Sequence, residues 1–330
     1  MTTLPDLNSL PLPSLFLELS RDGAPRRLLE LARDEDLGPL GSPAGDITGV
    51  AWGGGNQPTR ARLVVRTQGV IAGLAAAPIL LDLFAPSCRL NPLMRDGQTA
   101  APGATLALLD GPLGEILALE RTLLNLIGRL SGVATLTARH VRAIELEAPG
   151  SRARLCDTRK TTPGLRALEK YAVRCGGGTL HRLGLHDAVL IKDNHIAATP
   201  TLTPTLTPTL TPALTPTRLA ERVAEASTRA RALRPLRFVE VEVDSLEQLG
   251  PLLELPAGVV DIILLDNMTP PMLRDGVALR DELKAATLLE ASGGVTLETI
   301  GAVARAGVDR ISVGALTHSA PALDVALDFG

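Results

Sequence analysis

Apolar and polar positions change rhythm near Ser151. Between residues 60 and 109, short Val/Leu/Ala runs alternate with Gly and Pro turns, and residues 118–146 then carry a helical pattern. This predicts a separate α+β layer in the first part of the chain. Beyond Ser151 a short apolar run repeatedly ends in a polar or Gly residue and a helical pattern follows. Six strands are predicted, at 154–157, 188–192, 238–242, 262–266, 288–292 and 311–314. From the third onward their ends fall 24, 26 and 22 residues apart, close to one strand–loop–helix–loop unit. Gly258-Val-Val-Asp-Ile is echoed at Gly307-Val-Asp-Arg-Ile. Repeated βα units with parallel strands make a barrel or a doubly wound sheet. The strand ends hold Asp157, Lys192, Glu242, Asp266, Ser292 and Gly314, too polar for an inert core, and barrels collect active-site residues there. No GxGxxG opens a first βα turn, so the barrel is preferred over the open doubly wound sheet.

The most apolar run, residues 69–85, is broken by Pro78 and Asp82 and is short for a membrane span, so it reads as a core strand and helix. The first twenty residues lack a basic n-region, and Pro5, Pro11 and Pro13 interrupt any apolar h-region, so no signal peptide is expected. Residues 199–217 repeat Thr-Leu-Thr-Pro or close variants. Repeated prolines deny that insertion a helix or a central strand, and an extended surface loop is expected.

Composition narrows the classes. With 330 residues, 45% apolar, the chain can bury a substantial core. A net charge of −3, from 33 Lys+Arg against 36 Asp+Glu, offers no general attraction to nucleic acid or anionic membranes. Cys88, Cys156 and Cys175 show neither CxxC nor ligand-like spacing, which fits a reducing, cytoplasmic compartment.

An anion site must therefore be local. Residues 152–192 hold nine Lys/Arg against three acids, a net +6 in a chain of −3. Arg166, Lys170 and Arg174 sit at helical spacing and are expected on a solvated helix face. Arg159 and Lys160 instead follow a strand and precede Thr-Thr-Pro-Gly, a loop composition; Arg offers a planar fork for carboxylate and Lys a compact charge for phosphate. Three glycines lead into His181 and Arg182. Lys192, at a strand end inside a barrel, must face an anion or an acidic partner. Glu240 and Glu242 are two apart and share a face, and Asp266 adds an acid from the next strand. The three suit a divalent cation or ribose hydroxyls, or else a structural Glu–Lys network. Ala291-Ser-Gly-Gly and Ser312-Val-Gly-Ala lie between late strands and helices, where barrels often bind phosphate.

Together these segments resemble the quinolinate phosphoribosyltransferase family. The resemblance runs from Glu35-Asp-Leu-Gly and Gly45-Asp-Ile-Thr, through Glu120-Arg-Thr-Leu-Leu-Asn and Asp157-Thr-Arg-Lys-Thr-Thr-Pro-Gly, to Lys192-Asp-Asn-His, Leu265-Asp-Asn and Ala291-Ser-Gly-Gly. It implies an α/β fold: an N-terminal α/β sandwich over residues 1–127, joined by a C-terminal helix at 316–330, and an incomplete, TIM-like parallel α/β barrel over 128–315. The implied activity converts quinolinate and phosphoribosyl pyrophosphate to nicotinate mononucleotide, pyrophosphate and CO2 with Mg2+. Carried over motif by motif, Arg159, His181, Arg182 and Lys192 hold the quinolinate carboxylates, with Arg121 entering from the partner of a head-to-tail homodimer that could assemble further. Lys160, Glu242 and Asp266, the implied catalytic residues, meet the phosphoribosyl pyrophosphate, and Thr158 joins the substrate-binding set. The metal is held mainly by substrate, with Glu242 and Asp266 as the protein's donors. Ser292, Gly293 and Gly294 with Ser312, Val313 and Gly314 bind the 5′-phosphate. Leu180 departs from the pattern, since many relatives carry a polar residue, often Asn, before the histidine.

Rival readings are a related phosphoribosyltransferase acting on another acid, a barrel lyase or isomerase using Lys192 as a Schiff-base amine, and a non-catalytic phosphate-ligand sensor. The joint presence of carboxylates and cations at the strand ends favours the first class of chemistry over the sensor.

Overall fold

A computed structural model describes residues 4–39, 45–53, 55–197 and 215–329. In chain order the elements are α1 (Leu12–Leu19), α2 (Ala24–Leu37), α3 (Ile47–Trp52), β1 (Pro58–Val65), β2 (Gly69–Val70), α4 (Ala77–Phe84), β3 (Arg89–Pro92), β4 (Thr99–Ala100), β5 (Thr105–Pro112) and α5 (Leu113–Glu147). They continue with β6 (Arg154–Cys156), α6 (Arg166–Cys175), β7 (Val189–Ile191), α7 (Asp193–Ala197), α8 (Pro216–Leu233), β8 (Val239–Val243), α9 (Leu246–Leu253), β9 (Ile262–Asp266) and α10 (Pro270–Glu282). The last are β10 (Leu288–Ser292), α11 (Ile300–Arg305), β11 (Arg310–Ser312), α12 (Ala315–His318) and β12 (Val325–Phe329).

The chain forms two compact units. One, the sandwich unit, comprises residues 7–141, 160–180 and 314–330; the other, the barrel unit, comprises 1–6, 142–159 and 181–313. The boundary expected between residues 127 and 128 lies within the continuous helix α5.

In the sandwich unit an antiparallel sheet runs in the order β12-β1-β5-β3. The C-terminal helix expected at 316–330 is corrected here: α12 ends at His318, and β12 pairs antiparallel with β1, with Leu327 opposite Leu63. Pro321 breaks the helical pattern, and Val325-Ala-Leu-Asp-Phe is better suited to a pleated strand. The incoming segment crosses α5 at Gly128 and Gly132. Leu323 N–H donates to the Gly128 carbonyl at 2.8 Å, and a Cβ on Gly132 would lie 2.0 Å from the Pro321 oxygen. The apolar run 69–85 becomes β2 and α4, as expected for a core strand and helix.

The barrel unit holds a six-stranded sheet in the order β6-β11-β10-β9-β8-β7, all pairs parallel. From β7 to β11 the chain winds steadily in one direction, and β11 then pairs with the first strand, β6. A doubly wound sheet would instead reverse direction midway. Among the described residues β6 and β7 occupy opposite edges, so this is a partial TIM-like barrel. Ile262-Ile-Leu-Leu is buried along its length, as befits a strand covered on both faces. Residues 198–214 of the Thr/Pro insertion lie outside the described residues. Its last three residues differ from the loop expected: Thr215 caps α8, its Oγ1 accepting from Arg218 N–H at 3.4 Å, and Pro216 takes the first helical position, where its missing N–H costs nothing. No helix among the described residues is long and apolar enough to cross a membrane.

Candidate active site

The register of the parallel sheet decides which side chains share its interior face. Glu242 pairs with Leu264 and Leu264 with Glu290; Asp266 pairs with Ser292; Arg310 pairs with Glu290. Paired residues of a parallel ladder point the same way and alternate residues return to that way. Glu240, Glu242, Asp266, Glu290, Ser292, Arg310 and Ser312 therefore line one face. They stand at different depths.

At the carboxyl ends lie Glu242, Asp266, Ser292 and Ser312. Lys192, one residue past β7, donates to Glu242 Oε2 at 2.7 Å. The ammonium is 43% exposed and the carboxylate 12%, so this pair is semi-buried and its attraction only partly screened. The loops after β9 and β10 are tied together: Asn267 N–H donates to the Ser292 carbonyl at 2.9 Å, and Asn267 Nδ2 to Asp266 Oδ2 at 2.6 Å. Asn267 adopts φ 55° and Gly293 φ 96°, and a Cβ on Gly293 would lie 2.1 Å from Asn267 Oδ1. Gly293 is thus required sterically as well as conformationally. Val313 N–H donates to the Cys156 carbonyl at 3.0 Å, and Ser312 is buried.

Arg159 and Arg182 lie close enough in the barrel unit for each to repel the other. Burial and then Arg159 lower the Arg182 pKa, with Glu240 and Asp187 opposing. Arg182 is buried and donates through Nη1 to the Ala188 carbonyl at 3.3 Å. Two guanidinium groups near each other favour an anion between or beside them. The turn after Arg182 is built on Asp187, which accepts Leu183 N–H and Gly184 N–H, each at 2.9 Å, and pairs with Arg237 at 2.9 Å. Burial alone would raise Asp187, but these donors hold it below the usual carboxylate range.

His181 is buried one layer deeper. Its main-chain N–H donates to Asp157 Oδ1 at 2.7 Å, and its Nδ1 accepts Arg182 N–H at 2.9 Å. Nε2 lies 2.8 Å from Glu240 and 3.5 Å from Glu290, and Arg310 Nε is 2.5 Å from Glu290. The three ligand-type groups sit within 4.8 Å of one another, and the Arg310 guanidinium supplies a cation to them. Burial opposes charging His181, but Glu290 and Glu240 outweigh it and push the ring up to about 9. Arg310 and His181 hold Glu290 below the usual range against burial, whereas burial and Glu290 raise Glu240. Nδ1 thus faces the Arg182 N–H and Nε2 the two carboxylates, so both ring nitrogens are engaged. Glu240 is therefore separated from the role predicted jointly with Glu242 and Asp266: it faces His181. Glu290 and Arg310 were not anticipated; only the strand alternation before Ser292 and Ser312 pointed to them.

The remaining predicted residues belong to the sandwich unit, except Thr158, which is partly buried at the edge of the barrel unit. Arg121 is exposed on α5. Next to it, Thr122 donates to Asp36 Oδ2 at 2.6 Å, which joins two of the motifs read from the sequence. The Lys160 side chain is exposed; its carbonyl accepts Thr317 Oγ1 at 2.7 Å, and a Cβ on Gly314 would lie 2.8 Å from its Cδ. The loop that follows is anchored by Glu169, which accepts Thr162 N–H and Oγ1 at 3.0 and 2.9 Å and pairs with Arg129 at 2.8 Å. The solvated helix face expected at Arg166, Lys170 and Arg174 is corrected. Lys170 is 0% exposed, because α6 packs against α1, α2 and α12, and Arg174 donates to the Gly178 and Asn8 carbonyls. At Leu180 the main chain is clamped by Asn8, whose Oδ1 accepts its N–H at 2.7 Å and whose Nδ2 donates to its carbonyl at 3.2 Å.

Residues 46–131 match the family model "Quinolinate phosphoribosyl transferase, N-terminal domain", and residues 133–211 and 214–328 match its C-terminal counterpart. The chain belongs to the quinolinate phosphoribosyltransferase family. It is 39% identical over 295 residues to the probable nicotinate-nucleotide pyrophosphorylase (carboxylating) of Bacillus subtilis (strain 168), covering 89% of each chain. It is 41% identical over 268 residues to the nicotinate-nucleotide pyrophosphorylase (carboxylating) of Mycobacterium leprae (strain TN), covering 81% of this chain and 84% of that one. The structure of the nicotinate-nucleotide pyrophosphorylase from Francisella tularensis superposes with a TM-score of 0.78 at 32% identity, over 99% of this chain and 100% of that one. The family's two-part architecture accords with an antiparallel-sheet unit and a partial barrel in one chain.

Proposed function

We propose that this member of the family is a pentosyltransferase acting on quinolinate and phosphoribosyl pyrophosphate. It forms nicotinate mononucleotide, pyrophosphate and CO2 in NAD biosynthesis, as a cytoplasmic homodimer. The observation that carries the reading is the ion pair of Lys192 with Glu242 at the strand ends of one barrel face, where Asp266, Ser292 and Ser312 also stand, with Arg159 and Arg182 in the same unit. A dicarboxylate needs the first and a ribosyl polyphosphate the second.

Glu242 and Asp266 are hard oxygen donors at strand ends, and such a set fits Mg2+, which takes few protein carboxylates and leaves the rest to substrate. These two residues would hold it, and when bound it neutralises charge on the departing pyrophosphate. Lys160 stabilises the leaving oxygens. Glu242 and Asp266 offset positive charge on the ribose as its bond to pyrophosphate breaks. The quinolinate nitrogen then bonds to ribose C1. Quaternised, it draws the electron pair released as the adjacent carboxylate leaves as CO2, and that carbon takes a proton. Arg159, Arg182 and Lys192, with Arg121 from the partner subunit, orient the dicarboxylate for this sequence, and no covalent nucleophile is required. Backbone N–H groups at Ser292–Gly294 and Ser312–Gly314 bind the 5′-phosphate.

The test is product identification by mass: nicotinate mononucleotide from quinolinate and phosphoribosyl pyrophosphate supports the reading, and equal turnover of nicotinic acid contradicts it.

A further inference from the structure

Both ring nitrogens of His181 are engaged inside the barrel unit, Nδ1 by Arg182 N–H and Nε2 by Glu240 and Glu290. The ring therefore lies between a buried acidic layer and the main chain that carries Arg182. Glu240 and Glu290 are both 0% exposed, on strands β8 and β10 that flank β9. Arg310 anchors Glu290 and sits 6.0 Å above the Phe238 ring, whose edge-to-face contact with His181, at 5.1 Å, limits the tilt of the imidazole.

Glu240 is the anomaly. Its two oxygens are buried with no well-directed hydrogen-bond donor among the described residues, although His181 Nε2 is 2.8 Å away. Burying a carboxyl group so poorly satisfied is unfavourable, and an apolar side chain of similar size would suit the strand better. A local arrangement that opposes stability is expected where function demands it.

We propose that Glu240 and Glu290, anchored by Arg310, are positioning residues: they fix the His181 ring, which in turn fixes the Arg182 main chain and so the cation that receives the aromatic dicarboxylate. This rests on the quinolinate reading above. It makes His181 a strut between the acidic layer and the Arg182 main chain.

The test compares Glu240→Leu, Glu240→Gln and the unaltered chain. Leu removes the group facing Nε2; Gln keeps an acceptor there without the charge. Expected for Glu240→Leu is a rise of about 10-fold in KM for quinolinate, with KM for phosphoribosyl pyrophosphate within about twofold and thermal stability unchanged or higher, since misplacing one binding group costs this order. Glu240→Gln should restore most of the loss. In 15N-histidine-labelled protein, the ring signals of His181, assigned by their loss in His181→Asn, should move in Glu240→Leu and move less in Glu240→Gln. Unmoved ring signals, or equal rises in both KM values, would overturn the proposal. Should Glu240→Leu not fold, Glu240→Asp, which withdraws the carboxylate by one methylene, takes its place with the same expectations. A chain that folds and shows the ring shift but does not turn over quinolinate would refute the substrate reading while leaving the coupling of Glu240 to His181 intact.

Discussion

Lys192 Nζ lies 2.7 Å from Glu242 Oε2, joining a cation just past β7 to a carboxylate on the neighbouring strand β8. In the proposed function the two meet different substrates, so the pair would link the two halves of that reaction. Lys192→Met and Glu242→Gln should each lower kcat/KM by about 100-fold, and the double variant should lose far less than the product of the two, because coupled groups are not additive. A double-mutant cycle measures this; strict additivity would mean that the two act independently.

Gly293 has no room for a side chain: its φ is 96°, and a Cβ would lie 2.1 Å from Asn267 Oδ1. Gly293→Ala should destabilise the protein by about 1–3 kcal/mol, the range for forced backbone strain, and raise KM for phosphoribosyl pyrophosphate more than for quinolinate. Thermal melting and initial rates check both.

Asp187 organises the turn that follows Arg182, and its folded pKa is depressed. A depressed carboxylate contributes stability that is fully present above its unfolded pKa, about 4, and is lost as pH falls through the lower folded value. Melting temperature should therefore fall between about pH 4 and more acidic conditions, and this part of the fall should be absent in Asp187→Asn, which starts from a lower Tm at pH 7.

Two further outcomes test the assembly and the metal. Mixing Arg121→Ala subunits with Lys192→Ala subunits should restore part of the activity, because one mixed site would then be intact; no recovery despite demonstrated subunit exchange would contradict the crossed dimer. Chelation should abolish turnover, and Mg2+ should restore it, without changing the fold seen by circular dichroism.

The six barrel strands were legible because β-branched and aliphatic runs such as Ile262-Ile-Leu-Leu are buried on both faces and recur at the length of a βα unit. The strand-end chemistry was legible for the same reason, since parallel strands put their last residues together. Depth was not. Strand alternation gave Glu240 and Glu242 one face, yet only the ladder register and the approach of the 181–182 segment reveal that Glu240 serves His181 while Glu242 meets Lys192. Lys170 looked solvated because helical spacing shows a stripe but not what covers it; three helices do. The C-terminal strand was mistaken for a helix because its partner, β1, lies more than 250 residues earlier in the chain.

The most direct test uses quinolinate labelled in the carboxylate that is lost, incubated with the purified chain and Mg2+. Labelled CO2 should appear when phosphoribosyl pyrophosphate is added, in step with pyrophosphate. No release, or release without phosphoribosyl pyrophosphate, would contradict the account.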